Sequence, residues 1–322
     1  MNASTPLLEV ENLKKHFTQK GEKESRTVYA LNGVSFTVNV GETFGLVGES
    51  GCGKTTAGRV ICNLIEPTEG KVVFDGNDMF SLAKSARKKI RKNLQMVFQD
   101  PFASLDPRMT IGNTIAEPLL IHGIGNSHSR RSAVEDMLEM VGLRKAYYSR
   151  FPHEFSGGQR QRIGIARALI LQPKLVICDE PVSALDVSVQ SQILNLLLEL
   201  QNTFGLTYIF IAHGLNVVKY VSDWIGVMYL GKMVEVIKSQ QLFTHATHPY
   251  TQALLSAIPV LDPEKNSERI ILEGDIPSPA NPPSGCFFHT RCQYCQDICR
   301  TQEPLVKQSG ERRMVACHFP LE

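Results

Sequence analysis

Eight residues, Gly48-Glu49-Ser50-Gly51-Cys52-Gly53-Lys54-Thr55, match G-x-x-x-x-G-K-[ST] at every fixed position. The chemistry that such spacing serves is the grip on a phosphate chain. Gly48, Gly51 and Gly53 can take the positive φ values that turn successive backbone N–H groups inward as an anion nest, with Ser50 carried on the same loop. Lys54 supplies a point charge to the β- and γ-phosphates of a nucleotide. The Thr55 hydroxyl suits Mg²⁺, and Thr56 follows in the same turn. Further along, Asp179-Glu180 closes the apolar run Leu175-Val176-Ile177-Cys178. An acid at a strand end, Asp179, can orient Mg²⁺ directly or through water. Glu180 beside it is the candidate general base for an attacking water.

Those groups need a strand ending under the loop and a helix starting at its far end. Thr43-Phe44-Gly45-Leu46-Val47 is a short strand of buried type, and Thr55 to Ile65 has helical spacing that Pro67 should stop. Leu7–Leu13 and Leu31–Val38 alternate as strands around a polar segment, Thr18–Arg26, which predicts a hairpin-like β layer with a loose, solvated connection. Residues from about Thr110 to Gln172 are mostly helical in pattern, and Gly142 is a plausible stop for the helix before it. Leu175–Cys178 and Tyr208–Ala212 read as buried strands flanking an amphipathic helix, Val189 to Leu200. Buried strands separated by helices imply a mainly parallel sheet. The expected fold is therefore α/β, with an N-terminal antiparallel β layer and a helical insertion over about residues 100–172. A boundary is expected near Gly231, giving domains 1–230 and 231–322. Pro277, Pro279, Pro282 and Pro283 make Ile276–Gly285 an extended linker within the second.

Further motifs give the phosphate loop a family. Phe155-Ser156-Gly157-Gly158-Gln159-Arg160-Gln161-Arg162 resembles the signature sequence of ATP-binding cassette (ABC) ATPases, with Phe155 where Leu is commoner. Gln99 matches that family's Q-loop, Ser183-Ala184-Leu185-Asp186 its D-loop, and His213 its switch histidine. The resemblance implies a P-loop ATPase that binds ATP and Mg²⁺. It also implies a head-to-tail dimer in which Ser156, Gly157, Gly158 and Gln159 of one subunit face the phosphate loop of the other. A helix starting after Ser156 is a second N-terminus able to bind an anion, and one polypeptide cannot close both on the same γ-phosphate. In the same resemblance Gln99 reaches Mg²⁺ and links the nucleotide to a membrane-facing surface, Asp186 serves the nucleotide site, and His213 contacts the γ-phosphate. The family position for adenine stacking falls on Phe17, with Tyr29 as the alternative. Gly214 departs from the pattern, since an acid commonly follows the switch histidine.

The C-terminal third is similar to ATPase subunits of oligopeptide and dipeptide importers. It carries Tyr229-Leu230-Gly231-Lys232-Met233-Val234-Glu235, then His248-Pro249-Tyr250-Thr251-Gln252-Ala253-Leu254-Leu255, then Gly285-Cys286-Phe287-Phe288 and Arg291-Cys292. That subgroup implies a second, paralogous ATPase, two transmembrane permease subunits, and an extracytoplasmic solute-binding protein acting indirectly. It places the chain at the cytoplasmic face of the inner membrane. It also associates four cysteines, here Cys286, Cys292, Cys299 and Cys317, with a [4Fe–4S] cluster. Four thiolates suit iron–sulfur, with Zn²⁺ as the alternative, and Cys295, His289 and His318 are further potential ligands. A site without metal, or a disulfide, stays open.

Composition narrows the alternatives. The 322 residues carry 34 Lys+Arg against 32 Asp+Glu, a net charge of +2, with 43% apolar and 20% charged residues. A near-neutral balance argues against a general nucleic-acid binder, so a soluble cassette acting on DNA or ribosomes is disfavoured. No stretch approaches the roughly 18 apolar residues of a membrane span, and Met1–Pro6 lacks the features of a signal peptide. Lys54, Asp179, Glu180 and His213 together argue against a catalytically silent cassette. Peptides are the favoured solute, with nickel or another small solute as the alternative.

Overall fold

The computed structural model describes residues 6–20, 25–258, 269–310 and 312–321. In chain order the elements are β1 (Pro6–Lys20), β2 (Ser25–Asn39), β3 (Thr43–Val47), α1 (Lys54–Ile61), β4 (Glu69–Phe74), β5 (Asn77–Asp78), α2 (Lys84–Lys92) and β6 (Leu94–Val97). Next come α3 (Ile111–Ile121), α4 (Ser127–Met140), α5 (Gly157–Leu169), β7 (Leu175–Asp179), α6 (Val187–Phe204) and β8 (Thr207–Ile211). The chain closes with α7 (Leu215–Val221), β9 (Trp224–Tyr229), β10 (Lys232–Lys238), α8 (Leu242–His245), α9 (Pro249–Ser256), α10 (Asp297–Thr301), β11 (Lys307–Ser309) and β12 (Arg313–Val315). Two compact units interleave along it. One gathers the chain up to Asn39, Thr43–Ser81 and everything from Ile211 on; the other holds Val40–Glu42 and Leu82–Phe210.

In the first unit an antiparallel layer runs in the order β2-β1-β4-β5. Leu8, Leu13, Leu31 and Val34, all without exposure, fill its inner face. β1 and β2 pair as far as Lys20↔Ser25, so Thr18–Lys20 and Ser25–Arg26 are strand where a loose connection was expected; residues 21–24 lie outside the described residues. The correction has a simple cause. Ladder bonds are made by the backbone, and an exposed strand face accepts polar side chains without loss. A second set of strands lies in the order β11-β12-β10-β9-β3, with β3 and β9 parallel and the others antiparallel. Gly231 sits in the β9–β10 turn with φ 76°.

α1 ends at Ile61, not Ile65. Asn63 takes φ 53°, its N–H donates to Val60 O at 2.8 Å, and the Leu64 N–H reaches back to Arg59 O at 2.9 Å. That paired closure satisfies the last carbonyls of the helix before Pro67 is reached.

In the second unit the strands lie β8-β7-β6, and β6 runs parallel to β7. The helical stretch expected between Thr110 and Gln172 is α3, α4 and α5. Thr110 caps α3 and Asn126 caps α4 through side-chain oxygens. Gly142 ends α4 as expected, with φ 75° and the Leu143 N–H on Leu138 O at 2.8 Å. Among the described residues no helix is long and apolar enough to cross a membrane.

Candidate functional site

In the first unit β3, buried along its whole length, delivers the chain into the glycine loop. Gly48, Gly51 and Gly53 have φ of 151°, 78° and 104°. Gly53 shows why no other residue serves there: a Cβ would lie 2.3 Å from Ala30 O, a contact that real Cβ atoms do not make. Gly53 is also the N-cap of α1 and supplies no side-chain bond, and no acid occupies the first turn. The positive end of the helix is thus left to an outside anion. Lys54, 4% exposed, folds back so that Nζ donates to Gly48 O at 2.7 Å and Glu49 O at 3.1 Å. A buried ammonium needs such acceptors. Phosphate oxygens would compete for the same protons. Thr55 and Thr56 lie half-buried on the first turn and Ser50 is exposed at the loop's outer edge. Burial pushes the Cys52 thiol up from its ordinary pKa, against the opposing pull of Lys54.

Phe17 is 39% exposed near the far end of β1, with Lys15 Nζ 5.0 Å from its ring centre. Tyr29 is engaged already: its ring stands edge-on to His16 at 4.7 Å and its N–H donates to Pro279 O. His213 is exposed between β8 and α7, with Gly214 as the N-cap of α7.

In the second unit parallel register brings two distant residues together. Val97 of β6 pairs with Cys178 of β7, so the residues two further on, Gln99 and Glu180, emerge side by side. Gln99 Nε2 donates to Glu180 Oε2 at 2.6 Å. Asp179 and Glu180 are buried, at 2% and 5% exposure. Glu180 holds φ 48°, a left-handed conformation that costs a non-glycine residue of order 1 kcal/mol. Its carbonyl accepts from Ser183 N at 3.2 Å and Ser183 Oγ at 3.1 Å.

Ser156 caps α5. Its Oγ accepts from Gln159 N at 3.4 Å, while Gln159 Oε1 accepts from Ser156 N at 3.0 Å. This reciprocal box satisfies two donors and leaves Gly157 and Gly158 on the open first turn. Phe155 is buried, edge-on to Tyr147 at 5.3 Å, which accounts for an aromatic where the signature usually has Leu. Ser183, Ala184, Asp186 and Val187 are exposed around the start of α6, Val187 at 79%.

Back in the first unit, Cys286, Cys292, Cys299 and Cys317 line one small cavity with Phe288 and His248; Cys295 does not, and its thiol donates to Gln296 O. Burial pushes Cys286 and Cys292 up to about 11, and neighbouring thiols add to the rise. Ring nitrogens of His289 and His318 contact Cys286 O and Gln302 O, each at 2.9 Å. All of the cysteines are free thiols in this structure. Among the described residues no three His, Cys, Asp or Glu side chains are drawn together as ligands of a metal ion.

Sequence reasoning missed a set of contacts on Glu49. Its N–H donates to the Tyr250 hydroxyl at 2.9 Å, and its carboxylate takes both prongs of Arg291 at 2.7 and 3.1 Å. Partners 201 and 242 residues away carry no spacing signal.

Residues 31–183 match the family described as ABC transporter, and residues 234–299 match the oligopeptide/dipeptide transporter C-terminal region. The chain is 52% identical over 319 residues to the oligopeptide transport ATP-binding protein AppF of Bacillus subtilis, covering 97% of each chain. It is 48% identical to the dipeptide transport ATP-binding protein DppF of Haemophilus influenzae, covering 98% of this chain and 97% of the relative. Among solved structures it resembles the ATP-binding cassette MJ0796 in a dimeric post-hydrolysis state bound to ADP and Pi. There the identity is 31% and the TM-score 0.65, over 72% of this chain and 98% of that one.

Proposed function

The chain belongs to the ABC transporter family, and from that premise we propose that it is the ATP-hydrolysing subunit powering uptake of di- and oligopeptides. The observation that carries this reading is the strand–loop–helix of β3, Gly48–Thr55 and α1, with Lys54 held on the loop's own carbonyls. It stands in a chain whose resemblance to peptide-transport ATP-binding proteins runs almost end to end.

Each residue then has a task. The loop N–H groups, Ser50, Gly51, Lys54, Thr55 and Thr56 grip the phosphates, while Phe17, free on its open face, stacks on adenine. Thr55, Asp179 and Gln99 offer the oxygen donors that Mg²⁺ prefers. The metal, when bound, offsets the charge of the β- and γ-phosphates. Glu180 takes a proton from the attacking water, and Gln99 holds its carboxylate in place through the 2.6 Å bond. His213 meets the γ-phosphate. Ser156, Gly157, Gly158 and Gln159, with Asp186 on its exposed loop, form the half-site offered to a partner ATPase, so that bound ATP closes two subunits and hydrolysis releases them. The partner is a paralogue. Both dock on two permease subunits at the cytoplasmic face of the inner membrane, and a solute-binding protein acts through those.

The cavity lined by Cys286, Cys292, Cys299 and Cys317 is read as a [4Fe–4S] site. Four thiols around one space supply the right donors. Bound there, it would tie the ends of the Cys-rich segment together.

Co-expression with a permease pair and the paralogous ATPase, followed by reconstitution into vesicles with the binding protein, tests the reading. ATP turnover should rise when a di- or oligopeptide is supplied. Stimulation by nickel and not by peptide would overturn the solute assignment. No turnover under any condition would overturn the ATPase itself.

A further inference from the structure

Glu49 is the second residue of the phosphate loop, and every polar part of it is held. Its carbonyl accepts from Lys54 Nζ at 3.1 Å, its N–H donates to Tyr250, and its carboxylate accepts the two-pronged Arg291 pair. The second and third of these holds come from the C-terminal region. The holders are themselves fixed. Tyr250 has no exposed surface, and its ring stands 4.8 Å from Tyr229 and 5.3 Å from Phe288. Phe288 lies 5.2 Å from Tyr229, closing a triangle of buried rings. The Arg291 N–H donates to Phe288 O at 3.0 Å, and its side chain is only 7% exposed. A carboxylate in a loop built to receive phosphate opposes its ligand. Neutralised by a guanidinium fork, it becomes instead a handle by which the loop is held.

We propose that the C-terminal region is a working part of the nucleotide site, in which Arg291 and Tyr250 are positioning residues that neutralise and pin Glu49. The inference rests on the ATP-site reading of Gly48–Thr55 and is independent of any metal at the cysteines.

The test is Mg-ATP affinity of the full chain, measured with a fluorescent ATP analogue, together with KM and kcat in the assembled complex. Arg291→Met leaves a half-buried carboxylate unpaired beside the phosphate site. It should weaken nucleotide binding and raise KM about tenfold, with kcat at saturating ATP within about twofold. Arg291→Lys, which keeps the charge and loses the fork, should fall between. The double variant E49Q/R291M, with neither charge, should recover most of the lost affinity; a merely structural role for Arg291 would not permit that recovery. Tyr250→Phe should weaken binding about threefold with little change in melting temperature. Should Arg291→Met fail to fold, Arg291→Lys and Tyr250→Phe still decide the matter. Parent-like affinity in both, or a double variant as weak as Arg291→Met, overturns the proposal. A parent chain that binds no ATP overturns instead the site reading beneath it.

Discussion

Glu180 illustrates how a single residue can be held at a conformational cost. At φ 48° its Cβ crowds the backbone, and the position persists because Gln99 and Ser183 hold it from both ends. Glu180→Gln keeps the shape and removes the base. ATP turnover should fall by about 10²–10⁴-fold while labelled ATP stays bound on a filter. Glu180→Gly removes the same base and the strain together, so turnover should vanish with no fall in melting temperature. Cys52 invites a second measurement. Burial holds its thiol above the ordinary range, so the thiolate is scarce at neutral pH. Iodoacetamide should modify it far more slowly than it modifies glutathione, and the rate should keep climbing with pH after that of glutathione has levelled. At this scale the sequence is most readable where chemistry is packed into consecutive positions. Gly48–Thr55 declares itself by spacing because one loop and one helical turn position all of it. Gln99 and Glu180 become neighbours only through the β6–β7 register, and Glu49 with Arg291 only through the fold.

Elements translate these residues into surfaces that can move as one. α5 begins with a self-contained cap, and its second residue, Gly158, lies against the first turn of α6. A Cβ there would sit 2.5 Å from Val189 Cγ1. The glycine lets the signature helix approach the helix that follows the D-loop, linking the two stretches expected to face a partner subunit. Gly158→Ala should therefore destabilise the chain by about 1–3 kcal/mol in chemical denaturation, despite alanine's better helix propensity. Val189→Ala added to it should recover most of that loss. Recovery is the informative outcome, because an effect confined to anion binding would not respond to a methyl group removed from α6. Helix spans were legible where apolar spacing and stop residues agree, as at Gly142. They were misread where the stop was an asparagine in the left-handed region, as at Asn63, since the nearby Pro67 gave the louder signal. β11 and β12, three residues each and polar in part, carry no periodicity long enough to read.

Over the whole molecule, the C-terminal third completes structure begun by the N-terminal third: β10 pairs with β9 and with β12, while β9 runs beside β3, the strand that feeds the phosphate loop. Gly231, near which a boundary is expected, lies in the turn between the paired strands β9 and β10. The Cys-rich segment hangs from this framework, with the Cys286 N–H on Cys299 O at 2.8 Å and the Ala316 N–H on Val234 O at 2.8 Å. Those bonds seat Cys286, Cys299 and Cys317 by backbone, whatever the sulfurs hold. The ring of four and the outlying Cys295 then make separable predictions. Protein purified without oxygen should carry about four irons and acid-labile sulfide per chain, with the broad visible absorption of iron–sulfur. Cys295→Ser should leave the iron content unchanged. Cys299→Ser removes the most buried ligand of the ring and should lose the cluster, its iron content falling severalfold. If both variants retain iron equally, the ring is not the ligand set. If the parent binds stoichiometric zinc and no iron, the thiols close on a single ion after all, and the cavity must contract to do so.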